Sequence, residues 1–415
     1  MPISPNDHDR RVAAPNGAGS SAPRLAFVAV VAMLAALTAL ALVLVVGDLT
    51  RQTSPVATGG RPATTATAST DPALQSVIPA TPWLKPQPAA VLTRIGFGSC
   101  LDQAKPQPIW KTIAARKPEL FLMVGDNVYA KDVTSTDARE LIDAYAKQAT
   151  QPELAAARAA MPFLATWDDH DYGVNDAGGE FKLKDRAGDI FRAFWQQPEA
   201  RQADGGIYHS RVFGEPGRRV QVIMLDTRSF RSSLKLRDAS FPHWGKYQPD
   251  ASPEKTVLGA QQWRWLAGEL TKPAEIRVVV SSIQVLADGH GFERWGNLPA
   301  ERKRLLDTIV ATGAGGVVLL SGDRHSAARY EEAVTRRDGK PQLVVEQTSS
   351  SLNRPYGPSK DARLPPLVSD IYHPENFGMI DIDWSGRKLS LNLHAIDGGT
   401  VLARTIAFDD LGVKN

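Results

Sequence analysis

The sequence predicts an α/β fold in which a sheet flanked by helices packs against a second sheet. Three observations predict it. Short apolar runs, β-branched or aliphatic as in strands buried on both faces, alternate with longer helix-like segments. Past Gln342-Leu343-Val344-Val345 the pattern turns mostly strand-like. Each earlier run also stops at a polar group, and the carboxyl ends of strands are where α/β sheets gather ligands.

In chain order, residues 1–24 form a basic tail carrying Arg10, Arg11 and Arg24. Leu25 to Val46 follows, 22 residues apolar except for Thr38, long enough to span a bilayer as a helix. No small-x-small cleavage site follows it, so residues 25–47 read as an uncleaved transmembrane anchor. With Arg51 the only nearby basic residue behind it, the tail stays in the cytoplasm and everything after Asp48 lies outside the cell membrane. Residues 48–90 are rich in Pro, Ala and Thr and read as a disordered tether. The folded domain is expected over 91–415.

Within it, Leu92–Gly98 reads as a strand ending at Ser99-Cys100. The glycines before the cysteine would let the backbone turn sharply there. Helix-like Ile109–Arg116 leads to Leu120–Val124, which ends at Gly125-Asp126-Asn127-Val128-Tyr129. Asp137–Gln148 reads as helix, and Pro162–Thr166 as a strand ending at Trp167-Asp168-Asp169-His170-Asp171. After helical Arg186–Gln196, Val220–Leu225 ends at Asp226-Thr227-Arg228. Helical Gly259–Leu270 precedes Arg277–Val280, which runs on to Gln284. Helical Ala300–Thr312 precedes Gly316–Leu320, which ends at Ser321-Gly322-Asp323-Arg324-His325. Gly378–Trp384 and Leu389–Ala395 pair as a hairpin through Ser385-Gly386.

If these strands are neighbours, one crevice collects a thiol, several carboxylates, a phenol, an amide and two imidazoles. So many carboxylates repel one another unless a cation holds them together, which predicts a metal site. Cys100 is the single cysteine, so it forms no internal disulfide. His170 and His325 sit beside strand-end aspartates, whereas His209, His243, His290, His373 and His394 read as packing or loop residues. The net charge of +3 is evenly spread, and no basic block interleaved with aromatics appears, which argues against a nucleic-acid partner.

These motifs, in this order, resemble the calcineurin-like metallophosphoesterases, and specifically their PhoD-like, alkaline phosphatase D branch. The resemblance rests on Gly98-Ser99-Cys100, Gly125-Asp126-x-x-Tyr129, Trp167-Asp168-Asp169-His170 and Gly322-Asp323-x-His325, with further matches at Leu225–Arg228, Ser281–Gln284, Thr348–Ser350 and Asn376–Gly378. It implies a two-sheet α/β sandwich of metallophosphoesterase type and a dinuclear centre of Fe³⁺ and Ca²⁺. Carried over by position, Cys100 and Tyr129 would hold iron and Asp126 would bridge the two ions. Asp169 and Asp323, with Gln284 and Asn175, would serve the second ion, and His325 would ligate or support. Thiolate and phenolate suit a trivalent iron, and carboxylate and amide oxygens suit calcium. His170 would act as general acid or orient the phosphoryl oxygen, and Arg228 and Arg324 would neutralise the phosphate. The implied reaction is attack of a metal-bound hydroxide on a phosphomonoester or phosphodiester. Ser99 and Ser321 have no evident activating base for a serine-nucleophile route. Two alternatives are a phospholipid-cleaving phosphodiesterase, for which a bilayer tether is convenient, and a non-catalytic metal- or phosphate-binding surface module. Every matched position is filled, which disfavours the module.

Overall fold

The computed structural model describes residues 71–414 apart from residue 198. The anchor expected over 25–47, the tail before it and the tether up to residue 70 lie outside the described residues. Among the described residues, no helix is long and apolar enough to cross a membrane.

The described strands are β1 (Arg94–Gly98), β2 (Leu120–Val124), β3 (Phe163–Thr166), β4 (His209–Phe213), β5 (Val220–Met224) and β6 (Ile276–Val280), then β7 (Val317–Ser321), β8 (Ala328–Thr335), β9 (Pro341–Thr348), β10 (Asn376–Asp383), β11 (Lys388–Ala395) and β12 (Thr400–Ala407). They form two six-stranded sheets, ordered β12-β11-β10-β1-β2-β3 and β4-β5-β6-β7-β9-β8. In the first sheet β1, β2 and β3 run parallel. In the second, β5, β6, β7 and β9 do.

The period-two geometry of a strand explains why the central runs are apolar throughout. Leu120, Leu122 and Val124 of β2 face a core shared with Val222, Met224, Val278 and Leu320 of the other sheet. Phe121 and Met123 face the opposite way, into a second core with Trp110, Leu141 and Phe191. Those three belong to α2 (Ile109–Ala115), α3 (Arg139–Ala149) and α6 (Lys184–Trp195); before them comes the short α1 (Pro72–Gln75), and between them lie α4 (Pro152–Ala160) and α5 (Asp169–Tyr172). On the far side, Trp263 and Leu266 of α7 (Gly259–Leu270) and Leu305 and Ile309 of α8 (Pro299–Thr312) pack on Val279 and Leu319. The result is a four-layer arrangement with the expected helix-flanked sheets. The expected hairpin forms as well, β10 pairing antiparallel with β11.

Two expectations need correction. Residues 71–90, read as part of a disordered tether, pack onto the domain. Leu74 and Val77 enter the helix-side core, and the Trp83 indole N–H donates to Phe194 O at 2.6 Å. A few apolar anchors in a Pro- and Ala-rich stretch suffice to order it, and composition averages them away. Gly96 and Gly98 do not make a turn either; both lie inside β1. A Cβ at Gly96 would stand 2.6 Å from the Phe121 ring, and one at Gly98 would stand 2.7 Å from Leu352 Cδ2. Close approach of neighbouring side chains is what requires glycine there.

Candidate metal centre

The parallel strands of both sheets deliver their carboxyl ends to one place. Ser99, just after β1, bridges to Ser350, just after β9. The chain kinks as it leaves these strands and again in the loop after α5. Cys100, Asp126, Asp176, Asp323 and His325 all have positive φ, five of the nine non-glycine residues that do so among the described residues. Such left-handed backbone is uncommon for non-glycine residues and persists only where surroundings over-determine it, so its concentration here marks a functional site. Gly125 precedes Asp126 at φ 100°, and a Cβ there would sit 2.7 Å from Asp168 Cβ. Only glycine lets β2 hand Asp126 into the site past Asp168.

Asp126 is the hub. The Tyr129 O–H donates to its Oδ2 at 2.7 Å, and Cys100 Sγ lies 3.4 Å from the same oxygen. The other oxygen, Oδ1, accepts from the His170 backbone N–H at 3.4 Å. Cys100 Sγ is also 2.9 Å from Ser350 Oγ. His325 completes the group: its backbone N–H donates to Ser350 Oγ at 2.8 Å, and its Nδ1 lies 2.6 Å from Arg354 O. Because a carbonyl only accepts, Nδ1 carries the proton and Nε2 keeps a lone pair. Burial pushes the His325 pKa down to about 3, so the ring stays neutral, as a ligand must.

The other groups are displaced toward their protonated forms. Burial, reinforced by the Asp126 charge, pushes the Cys100 thiol well up. Burial followed by the charges of Asp169, Asp168 and Asp171 does the same to Asp126. Tyr129 is raised by burial and then by Asp126. A bound cation reverses every one of these shifts, since it repays the desolvation and turns mutual repulsion into shared attraction. Ligand atoms of Cys100, Asp126 and His325 lie within 4.8 Å of one another, and so do those of Asp126, Asp169 and His170. The residues therefore fit a metal ion.

The Trp-Asp-Asp-His-Asp segment divides its labour. Asp168 and Asp171 form a reciprocal capping box around α5. The Asp171 carboxylate also accepts from the backbone N–H of Asn127 at 3.1 Å, and burial raises its pKa to about 8. Asp168 accepts from Arg228 Nε and Ser282 Oγ, both at 2.7 Å. These two carboxylates brace the scaffold. Asp169 and His170 turn toward the cavity, where the His170 ring lies 4.5 Å from that of Tyr129.

The cavity has a volume of about 230 Å³, and Asp126, Asp169, His170, Asn175, Asp323, Arg324 and His325 all contribute to its wall. Cys100 and Tyr129 join the site through Asp126 rather than through this wall, and two further residues predicted from sequence are placed elsewhere. Gln284 spends its amide on Tyr330 O–H and Thr348 Oγ1, at 3.1 and 2.9 Å, and its carbonyl oxygen on His290 Nε2 at 2.8 Å. Arg228 is completely buried, bound to Asp168 and, at 2.5 Å, to Glu293 Oε2. Neither lines the cavity. Arg324 does, with Nη2 paired to Asp361 at 2.9 Å and a buried Nε that has no hydrogen-bond partner among the described residues. Ser99 Oγ donates to Ser349 O, and Ser321 Oγ pairs with Thr348 Oγ1; the carboxylate beside Ser321, Glu346, holds the backbone N–H groups of Val285 and Leu286.

The structure adds residues that sequence reasoning passed over. Asp176 and Glu293 stand with Asp169 as a third set of ligand atoms within 4.8 Å. Glu293 is neutralised by Arg228 and Arg231, and Asp176 by Lys246 at 2.9 Å. His373, read as a packing or loop residue, lines the same cavity with Trp244 and Tyr356. No short motif marks any of these. Asp176 follows Asn175 directly in the loop after α5, and loops distant in sequence carry in the others.

The profile of the PhoD-like phosphatases matches residues 97–377. Alkaline phosphatase D of Bacillus subtilis (strain 168) is 24% identical over an alignment of 259 residues, and the match covers 52% of this chain and 43% of that protein. The matched part thus spans less than half the length of this curated relative. A solved structure of PhoD aligns with a TM-score of 0.61 at 17% identity, covering 78% of this chain and 70% of that one. At that identity the likeness speaks to the fold alone.

Proposed function

The chain belongs to the PhoD-like phosphatase family, and from that premise we propose that it is a metal-dependent phosphoric ester hydrolase. One observation carries the reading: the thiol of Cys100, the carboxylate of Asp126 and the imidazole of His325 converge within 4.8 Å beside the cavity. A thiol, a phenol, an imidazole and a carboxylate at one point suit Fe³⁺, so Cys100, Asp126, Tyr129 and His325 would hold it. The oxygen donors Asp169, Asn175 and Asp323 would hold Ca²⁺. Such ions supply Lewis acidity toward the phosphoryl oxygens and a water-derived nucleophile at neutral pH.

The protein's own groups do the rest. Asp126 engages both halves of the site through its two oxygens. His170, partly buried on the cavity wall, is positioned to give a proton to the departing ester oxygen. Arg324 brings positive charge to the cavity wall for the phosphate, and its pairing with Asp361 holds the guanidinium in place. The proposal covers phosphomonoesters and phosphodiesters alike. Residues 25–47 are proposed as the anchor that keeps the catalytic domain outside the cytoplasm. Release of the full chain from membranes by alkaline carbonate would rule that anchor out.

The site reading is tested on the full chain in detergent, by metal analysis and visible absorption. A coloured protein that bleaches on reduction is expected, because thiolate or phenolate on Fe³⁺ absorbs visible light. Cys100→Ser should shift or abolish the band and lower iron occupancy. A colourless, iron-free and fully active enzyme sinks the iron assignment. Full colour, iron and activity in Cys100→Ser sink the thiolate ligand.

A further inference from the structure

Among the described residues two aromatic side chains are exposed, Trp244 at 43% and Tyr356 at 55%. Both line the cavity that contains Asp126, Asp169 and Asp323. Large apolar groups left open to water in this way mark contact surfaces, and here the surface adjoins the proposed reacting centre. The two rings are also anchored to it. Tyr356 lies on the His325 ring at 3.9 Å between centroids. Trp244 packs edge-to-face on Phe292 at 4.7 Å, and the Arg324 guanidinium stands 4.4 Å from the centre of that phenyl ring. The organic group of an ester bound in this cavity would meet this rim.

The chemistry of the rim narrows the occupant. Lys246, Ser359 and His373 line the same cavity as the aromatic rings. An acyl chain lying there would strip water from Lys246 and His373 without offering them hydrogen bonds, which is unfavourable. A polyol would satisfy the polar groups but leave both ring faces unused. A flat heterocycle stacks on the rings and presents polar edges to the polar groups, as nucleobases do on aromatic platforms. We propose that Trp244 and Tyr356 form a leaving-group subsite for a planar heteroaromatic moiety, so that the esters this site prefers are nucleoside phosphates. The proposal rests on phosphate-ester hydrolysis at the same cavity, and the even charge noted above fits a single nucleoside rather than a polymer.

The test uses two phosphonates in which carbon replaces the scissile ester oxygen, one carrying adenosine and one carrying glycerol. Each is titrated calorimetrically into the full-length protein as isolated with its metals and into the double variant Trp244→Ala/Tyr356→Ala. Both side chains are exposed, so the variant keeps the wild-type melting temperature, which is measured alongside. The adenosine compound is expected to bind the wild type at least tenfold more tightly than the glycerol compound, with the double variant losing that preference. Equal binding of the two compounds, binding of neither, or an undiminished preference in the variant overturns the subsite. Turnover of the corresponding phosphate esters is followed separately. Hydrolysis without preference overturns the subsite alone; preference without hydrolysis overturns the proposed activity and leaves the subsite standing.

Discussion

Asp126→Asn is expected to cut turnover of phosphate esters by about a thousandfold and to empty the site of metal. Metal-ion catalysis supplies several kcal/mol of transition-state stabilisation, and each 1.36 kcal/mol is a factor of ten in rate. The amide keeps the shape and can still accept from the Tyr129 O–H through Oδ1. What it loses is the negative charge that two neighbouring ligand sets share, since Asp126 belongs both with Cys100 and His325 and with Asp169 and His170. Stability should move the other way. In the metal-free protein the folded-state pKa of Asp126 lies well above its usual 3.8, through burial and then the charges of Asp169, Asp168 and Asp171. An acid whose folded pKa is raised weakens the fold as pH climbs past its unfolded value. The amide removes that penalty, so metal-free Asp126→Asn should melt no lower than the metal-free wild type at pH 8. Metal content, kcat/KM and Tm together decide the matter: a variant that retains metal and rate shows that Asp126 is no ligand, and a collapse of Tm shows a scaffold role instead.

The same residues show what a sequence can reveal about such a site. Strand-end positions were legible because they follow apolar runs with both faces buried, as with Leu120–Val124 before Asp126. The strands that escaped notice, β4, β8 and β12, are all at sheet edges. There one side faces solvent, and charged or polar residues such as Glu331, Glu332 and Arg404 break the apolar run. Helix α4, Pro-Glu-Leu-Ala-Ala-Ala-Arg-Ala-Ala, has too few large apolar residues to show a stripe, although Leu154 and Ala157 are buried. The cavity rim was opaque for a different reason. Trp244, Glu293, Tyr356 and His373 arrive on long loops, and loop residues acquire their role from the scaffold that positions them rather than from any local pattern. Composition also could not separate Asp168 from Asp169. One braces the capping box and the other enters the cavity, and only the turn at α5 tells them apart.

Arg228→Met should damage the fold rather than substrate affinity. The sequence suggested a phosphate-neutralising arginine, yet its guanidinium lies in a closed chain of charges running from Asp168 through Arg228 and Glu293 to Arg231, all at 0–1% side-chain exposure. Removing one member of a buried ionic cluster leaves its partners uncompensated and costs about 3–5 kcal/mol, a fall of roughly 4–7 °C in Tm for a domain of this size. Methionine keeps most of the volume, so lost packing contributes little. The penalty should depend on pH in a defined direction. Burial holds Asp168 at about 7 even with Arg228 present, and burial raises Glu293 as well. Without the arginine Asp168 must ionise with no ion-pair partner, and Glu293 with Arg231 alone, as pH rises above their unfolded values, so the deficit is smallest near pH 4 and largest near pH 8. Lysine should rescue only partly, because one ammonium cannot reproduce a guanidinium that donates from Nε to Asp168 and from Nη1 to Ala177 O while pairing with Glu293. Thermal melts across that pH range on Arg228→Met and Arg228→Lys, with KM for a phosphate ester alongside, separate the two roles. An unchanged Tm with a raised KM would return Arg228 to the substrate. A pH-dependent loss of Tm with KM preserved in the folded fraction leaves it as the residue that holds Asp168 and Glu293 in place behind Asp126 and Asp169.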